Sequence, residues 1–195
     1  MVECFIDELA HAAGQDPLAF RLANMPAGKL RECLTLVAEK AGWGKPAPGR
    51  FQGIAAISSF SSHAAEVAEV SVAADGAVRV HRVVVAVHVG QVVQPDNIRS
   101  QIEGAIVLAL GFTLKHEIRL VNGVVQEAGF SDYPLVRIDE MPAVEVHVVP
   151  SDEPPTGIGE PPIPPLPAAV CNAIYAATGK RVKRLPVRAG ELRRA

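Results

Sequence analysis

Apolar residues recur at helical spacing through the first forty positions. Phe5, Ile6, Leu9, Ala10 and Ala13 make one stripe over residues 3–13, and Gly14 can take the left-handed conformation that ends a helix. Asp16-Pro17 opens a second helix, with Asp16 as N-cap and Pro17 at the first helical position, where a missing N–H costs nothing. Leu30, Leu34, Val37, Ala38 and Ala41 space a third helix over about 29–41, followed by Gly42.

Beyond the Pro/Gly-rich connector Lys45–Arg50 the apolar period drops from about 3.6 to about 2 residues. Glu66 to Ala73 alternates, Asp75-Gly76 supplies a two-residue hairpin turn, and Val78 to Val89 returns. Val83 to Val87 is apolar on both faces, as a central strand in a covered sheet requires. Gln94-Pro95-Asp96 ends that strand and opens a long helix to about Glu117. Asp96 is its expected cap, and Ile98, Ile102, Ala105, Ala109 and Phe112 form its stripe.

Asn122-Gly123 turns a second hairpin, and Val144, Val146 and Val148 alternate in a further strand. Pro154–Pro167 holds too many prolines for helix or central sheet, and a last helix runs from about Ala168 to Thr178, stopping at Gly179. The predicted fold class is α+β: a mixed sheet with hairpins, covered by helices that include the long one at about 96–117. Residues 1–44 form an N-terminal helical segment and residues 45–195 a C-terminal α+β domain.

Composition narrows the function classes. The chain has 195 residues, a length at which roughly 70% of the unfolded surface is buried on folding, so a core needs neither disulfide nor metal. Hydrophobic residues at 49% and charged residues at 21% suit a globular protein. A net charge of −2 predicts no nucleic-acid partner. Lys180, Arg181, Lys183, Arg184, Arg188, Arg193 and Arg194 gather at the end, either as a phosphate-binding tail or as a solvated terminus. No aromatic residues interleave for base stacking, which favours the solvated terminus.

Cys4, Cys33 and Cys171 lie far apart and form no Cys-x-x-Cys pair, which excludes an iron–sulfur cluster or a structural zinc built on them. No stretch approaches the ~20 apolar residues of a membrane span, and residues 1–14 lack the apolar run of a signal peptide. With unpaired cysteines, this predicts a soluble, cytoplasmic protein, the periplasm being open to a full-length assembly. His81 and His88, seven apart on one strand, are expected on opposite faces, and His11, His63, His116 and His147 fall on separate elements, so no metal site is predicted.

Two places could carry chemistry. In Gly157-Ile158-Gly159-Glu160, glycines make the backbone permissive and Pro161-Pro162 then stiffens it, so the Glu160 carboxylate is held at a fixed place on a loop. Ile158, Ile163 and Leu166 predict an apolar setting that suits a general base. The same pattern also fits a surface loop whose glutamate caps something. Gln101 and Glu103 on the long helix are the second place: Gln101 offers two donors and an acceptor beside Gly104 and Ala105, which either admit another group close to the backbone or serve close helix–sheet packing.

In order, Phe5-Ile6-Asp7-Glu8-Leu9-Ala10, Asp16-Pro17-Leu18, Ala65-Glu66-Val67-Ala68-Glu69-Val70, Gln94-Pro95-Asp96, Gln101-Ile102-Glu103-Gly104, Asp132-Tyr133, Glu140-Met141-Pro142, Gly157-Ile-Gly-Glu-Pro-Pro, Ala173-Ile174, Ala177-Thr178-Gly179-Lys180-Arg181 and Leu185-Pro186 resemble the C-terminal part of the molybdenum-cofactor-binding large subunit of the xanthine oxidase family. The resemblance is to large subunits of isoquinoline 1-oxidoreductase type and covers nearly the whole chain. It implies that Glu160 is the catalytic base beside molybdenum, acting in hydroxylation of an N-heteroaromatic or aldehyde substrate with water as oxygen source. It implies molybdopterin as cofactor, with Gln101, Gly104 and Gly159 on its pterin side.

Ala105 stands where the family carries a second glycine, His88 where an aspartate is common, and Gln94 where an asparagine is common. Ala105 is expected to narrow the cofactor's approach by one methyl group. The family's large subunit is several times longer, so the expected partners are the missing upstream cofactor-binding portion and an iron–sulfur subunit. The isolated chain is expected to self-associate and to be inactive. Two readings follow: a component of a molybdenum hydroxylase, or a non-catalytic binding or scaffold module derived from one.

Overall fold

In the computed structural model, which describes residues 2–193, Asp16 caps the second helix as its sequence requires, its Oδ1 accepting from the N–H groups of Leu18 and Ala19 at 3.0 and 2.9 Å. The helices are α1 (Val2–Ala12), α2 (Pro17–Asn24), α3 (Lys29–Ala41), α4 (Pro95–Leu114), α5 (Pro165–Thr178) and α6 (Ala189–Leu192). The strands are β1 (Phe51–Ser59), β2 (Ser62–Val72), β3 (Val78–His88), β4 (Leu120–Val121), β5 (Val124–Val125) and β6 (Ala143–Val148). Gly42 and Gly179 end α3 and α5 in the left-handed conformation, with φ of 64° and 70°.

The main sheet runs β1-β2-β3-β6, antiparallel except for the parallel β3–β6 pair, and β4–β5 is a separate hairpin about Asn122-Gly123. The fold is thus α+β with a mixed sheet. One face carries Ile54, Ala65, Val67, Val84 and Ala86 against Leu34, Val37 and Ala41 of α3. The other carries Ala55, Ala68, Val83, Val85 and Val87 against α4 and α5. Residues on both sides of the expected 44/45 boundary share the α3 cluster, and Cys4 packs against the other.

Several local expectations change. Strand β1 was not anticipated, because Gln52 to Ala56 is buried on both faces and shows no alternation. The β2–β3 turn has three loop residues, Ala74 to Gly76, since Ala73 N–H donates to Ala77 O at 2.9 Å and Gly76 takes φ 87°. Helix α4 is capped by Gln94, whose Oε1 accepts from Asp96 N–H at 3.0 Å, so Asp96 lies in the first turn rather than at the cap. Helix α4 ends at Leu114, and α5 begins at Pro165, because prolines in a first turn lose no helical hydrogen bond.

A register shift at Glu69/Val70 breaks the alternation of β3, so that Val80 and Val83 join the same core cluster. The odd offset between His81 and His88 therefore no longer assigns them to opposite faces. Helix α1 does not bury its apolar stripe: Phe5 and Leu9 are 59% and 42% exposed, while Asp7 and Ala10 are buried. The basic end is mostly exposed, as expected, but it is tied down: Arg181 pairs with Asp7, Lys183 with Glu8, and Arg184 and Arg188 with Glu117. Arg194 lies outside the described residues. Among the described residues, no helix is long and apolar enough to cross a membrane.

Candidate functional site

The segment carrying Glu160 is fastened to the end of β3 before it turns into α5. Val149 N–H donates to Val87 O, Gln91 N–H to Glu153 O and Thr156 N–H to Val89 O, each at 2.8 Å. The two chain segments run so close that a methyl group on Gly90 would lie 2.2 Å from Pro154 O. Only glycine fits there, and its φ of 71° is one a side chain would resist. From the buried start of β2, Ser62 Oγ donates to Gly157 O at 2.5 Å and shares a 2.7 Å hydrogen bond with Thr156 Oγ1. Ile158 then buries its side chain in the core, and Ile163 N–H closes a turn on Glu160 O at 2.8 Å. The loop is pinned on both sides of the carboxylate.

Helix α4 leaves the same end of β3, and it brings Gln101 to this loop. A methyl group on Gly159 would lie 3.8 Å from Gln101 Oε1. Gln101 and Gly104 are both exposed, and a methyl group on Gly104 would meet nothing within 4 Å. Gly104 therefore answers no packing need within the described residues. Ala105 is buried. Its methyl group is buried, while the Gly104 surface stays open.

Glu160 itself is exposed. The apolar setting expected around it is not formed by these residues: Ile158 and Leu166 belong to the core, and Ile163 packs on that core. Neither Gly157 nor Gly159 is among the positive-φ glycines, so what Gly159 contributes is closeness to Gln101 rather than a special backbone conformation.

Behind the loop, Lys29 at the start of α3 forms an ion pair with Glu153, and the hydrogen bond from Lys29 holds the Glu153 carboxyl below the usual range. His63 and His88 face each other across β2 and β3 at 6.0 Å between ring centroids, and burial lowers the His63 pKa. His88 thus fills an interior position at the strand end, 5% exposed.

Sequence reasoning missed Ser62, which holds the Gly157 carbonyl, and Thr156, which shares a hydrogen bond with Ser62. Their partners lie 94 and 95 positions apart, a separation that no local pattern reports. The result is a shelf presenting one carboxylate, one amide and a row of small residues. These groups can accept a proton and hydrogen-bond a polar planar ligand laid against them. The surface at Gly104 is open and the Gln101 amide is exposed beside it, so the shelf is unenclosed.

The molybdopterin cofactor-binding domain family matches residues 29–142. The chain is 34% identical over 213 residues to a nicotinate dehydrogenase component of Pseudomonas putida, covering 99% of this chain and 18% of that protein. It is 32% identical over 194 residues to the beta component of isoquinoline 1-oxidoreductase from Brevundimonas diminuta, covering 95% of this chain and 25% of that protein. It thus spans a quarter or less of these two relatives. Among solved structures, aldehyde oxidoreductase from Desulfovibrio gigas shares the fold with a TM-score of 0.76 over 98% of this chain and 40% of that one, at 14% identity. Quinoline 2-oxidoreductase from Pseudomonas putida 86 does so with a TM-score of 0.62 over 67% of this chain and 18% of that one, at 23% identity.

Proposed function

This chain belongs to the molybdopterin cofactor-binding domain family, within the molybdenum-binding subunits of the xanthine oxidase family, and from that membership we propose that it forms one wall of a molybdenum hydroxylase site whose acid–base residue is Glu160. The observation that carries the reading is the juxtaposition of Gln101 with Gly159, with Glu160 next in the chain. Two segments separated in sequence converge on one open shelf, and the groups they present suit a pterin ligand and a proton transfer.

When bound, the molybdenum cofactor supplies Lewis acidity and electron-accepting chemistry. Glu160 accepts a proton at a carboxylate oxygen, at a position set by the Ser62–Gly157 hydrogen bond on one side and the Ile163–Glu160 turn on the other. Gln101 hydrogen-bonds the pterin portion, and Gly104 and Gly159 let it lie close to the backbone. A pinned loop suits this role, because a base displaced by an ångström loses much of its effect.

The substrate class is an N-heteroaromatic compound or an aldehyde, with water as oxygen source. The shelf lacks its opposite wall, so the chain by itself is inactive and works with an upstream cofactor-binding portion and an iron–sulfur subunit. Exposed Val107, Leu108 and Phe112 on α4 supply apolar surface for that association, or for self-association when the chain is alone.

The test is reconstitution with the upstream portion, followed by Glu160→Gln. Turnover is expected to fall by orders of magnitude while molybdenum content stays near that of the parent assembly. Full activity in the variant sinks the assignment of the base. A stable assembly that forms without any cofactor and takes up none sinks the enzymatic reading altogether.

A further inference from the structure

A cavity of about 540 Å³ lies between α1, the start of α5 and residues 182–185, with Cys4, Phe5, Glu8, Pro164, Cys171 and Lys183 in its lining. None of the residues assigned to the Glu160 shelf lines it. Cys4 comes from α1 and Cys171 from α5, far apart in the chain, and packing of these helices brings both side chains to the wall of this one cavity. Both are free thiols, Cys4 half-buried and Cys171 buried.

The pair is chemically unequal. The contact with Cys171 holds the Cys4 thiol below its ordinary value, which favours the thiolate there. The same contact, with burial, pushes Cys171 upward and keeps it protonated. Cys33 lies apart in the α3 cluster, where burial pushes it up to about 12. One exposed-side nucleophile, one adjacent thiol and one inert internal reference stand in a single chain.

We propose that Cys4 and Cys171 form a hydroperoxide-reactive dithiol, oxidised to a disulfide that clips α1 to α5. The Cys4 thiolate attacks one oxygen of the peroxide. An S–O bond forms as the O–O bond breaks, sulfur gives up two electrons, and the leaving oxygen takes a proton to become water or an alcohol. Cys171 sulfur then attacks Cys4 sulfur. The S–S bond forms, the S–O bond breaks, and the departing oxygen leaves as water with the Cys171 proton. One hydroperoxide is consumed for each disulfide made. The cavity gives a small peroxide access to Cys4, and the ion pair of Lys183 with Glu8 stands at its wall.

The test uses the 195-residue chain, reduced, freed of reductant and treated with hydrogen peroxide at neutral pH. Digestion without reduction, read by mass spectrometry, is expected to return Cys4 and Cys171 in one linked peptide pair from monomeric protein, with Cys33 still a thiol. Cys171→Ser, which keeps a hydroxyl donor beside Cys4 but cannot form a disulfide, is expected to leave a sulfenic acid on Cys4 that dimedone traps, with no internal link. Recovery of Cys4 and Cys171 unlinked, or linked only between molecules, overturns the proposal. Alkylation of the unmutated native chain gives an independent reading: Cys4 consumed before Cys33 supports it, and the reverse order overturns it.

Discussion

Asp7 and Arg181, 174 positions apart, close an ion pair in which Nη1 of Arg181 donates to Oδ2 of Asp7 at 2.6 Å. Asp7 is 2% exposed and also faces Arg21 and His11, while the Arg181 guanidinium lies 3.4 Å from the centroid of the Tyr175 ring. The pair explains why α1 turns a carboxylate inward and leaves Phe5 and Leu9 outside. It also joins two of the motif blocks that carry the family resemblance, at the first helix and just after α5. Removing the buried Asp7 carboxylate leaves the half-buried Arg181 guanidinium without its counter-charge. Asp7→Ala is therefore expected to cost about 3 kcal/mol. The check is a urea midpoint lowered at unchanged slope. A variant as stable as the parent would show that the pair adds nothing.

Gly53 in β1 sits directly beneath α5. A methyl group there would lie 2.1 Å from Ala169 O and 2.3 Å from Ala173 N, both backbone atoms of a helix already packed on the sheet. Neither can yield without moving α5. Gly53→Ala is expected to destabilise the chain by about 3 kcal/mol, at the upper end of overpacking costs. Thermal melting reads it, and an unchanged midpoint would mean that α5 shifts freely.

Glu66 is a buried carboxyl that no assigned chemistry uses. It is fully buried, and neither oxygen has a hydrogen-bond partner among the described residues. Burial raises its pKa well above the ordinary 4.5, so the folded chain keeps a proton that the unfolded chain gives up. Stability from this group is therefore full below the unfolded pKa. It declines as pH rises above that value, by up to about 1.4 kcal/mol per pH unit until the folded pKa is reached. Glu66→Gln cannot ionise and is expected to lose this decline. Urea midpoints of parent and variant, compared between about pH 5 and about pH 8, decide it. Parallel curves would refute the assignment.

Gly104 separates folding from ligand binding in one position. Its surroundings are open to 4 Å, and an alanine in a helix interior is favoured over glycine by about 1 kcal/mol. Gly104→Ala should make the isolated chain slightly more stable. In the reconstituted assembly the same methyl group should reduce molybdenum content, measured by metal analysis. Stabilisation with full cofactor retention would place the pterin elsewhere.

The elements that sequence reports well are those whose cause is local. Gly14, Gly42 and Gly179 take the positive φ expected at helix ends, Asp16 caps its helix, and Asn122-Gly123 turns its hairpin with φ of 51° and 80°. Each depends on the bonding of a few neighbouring residues. β1 escaped notice because a strand covered on both faces, built of Gly53, Ala55 and Ala56, carries no period for a reader to detect. The α+β class and the family likeness were legible because runs of residues in order carry them.

By itself, then, the sequence determined the local conformations, the mixture of elements and the family likeness, since these depend on backbone chemistry and residue order. Only tertiary structure decided which faces are inward and which distant groups meet. Ala105 is buried, Gln101 comes to Gly159, Asp7 finds Arg181, and Cys4 and Cys171 line one cavity. Those pairings come from packing helices on a shared sheet, where burial and charge compensation are settled between residues that no short window contains.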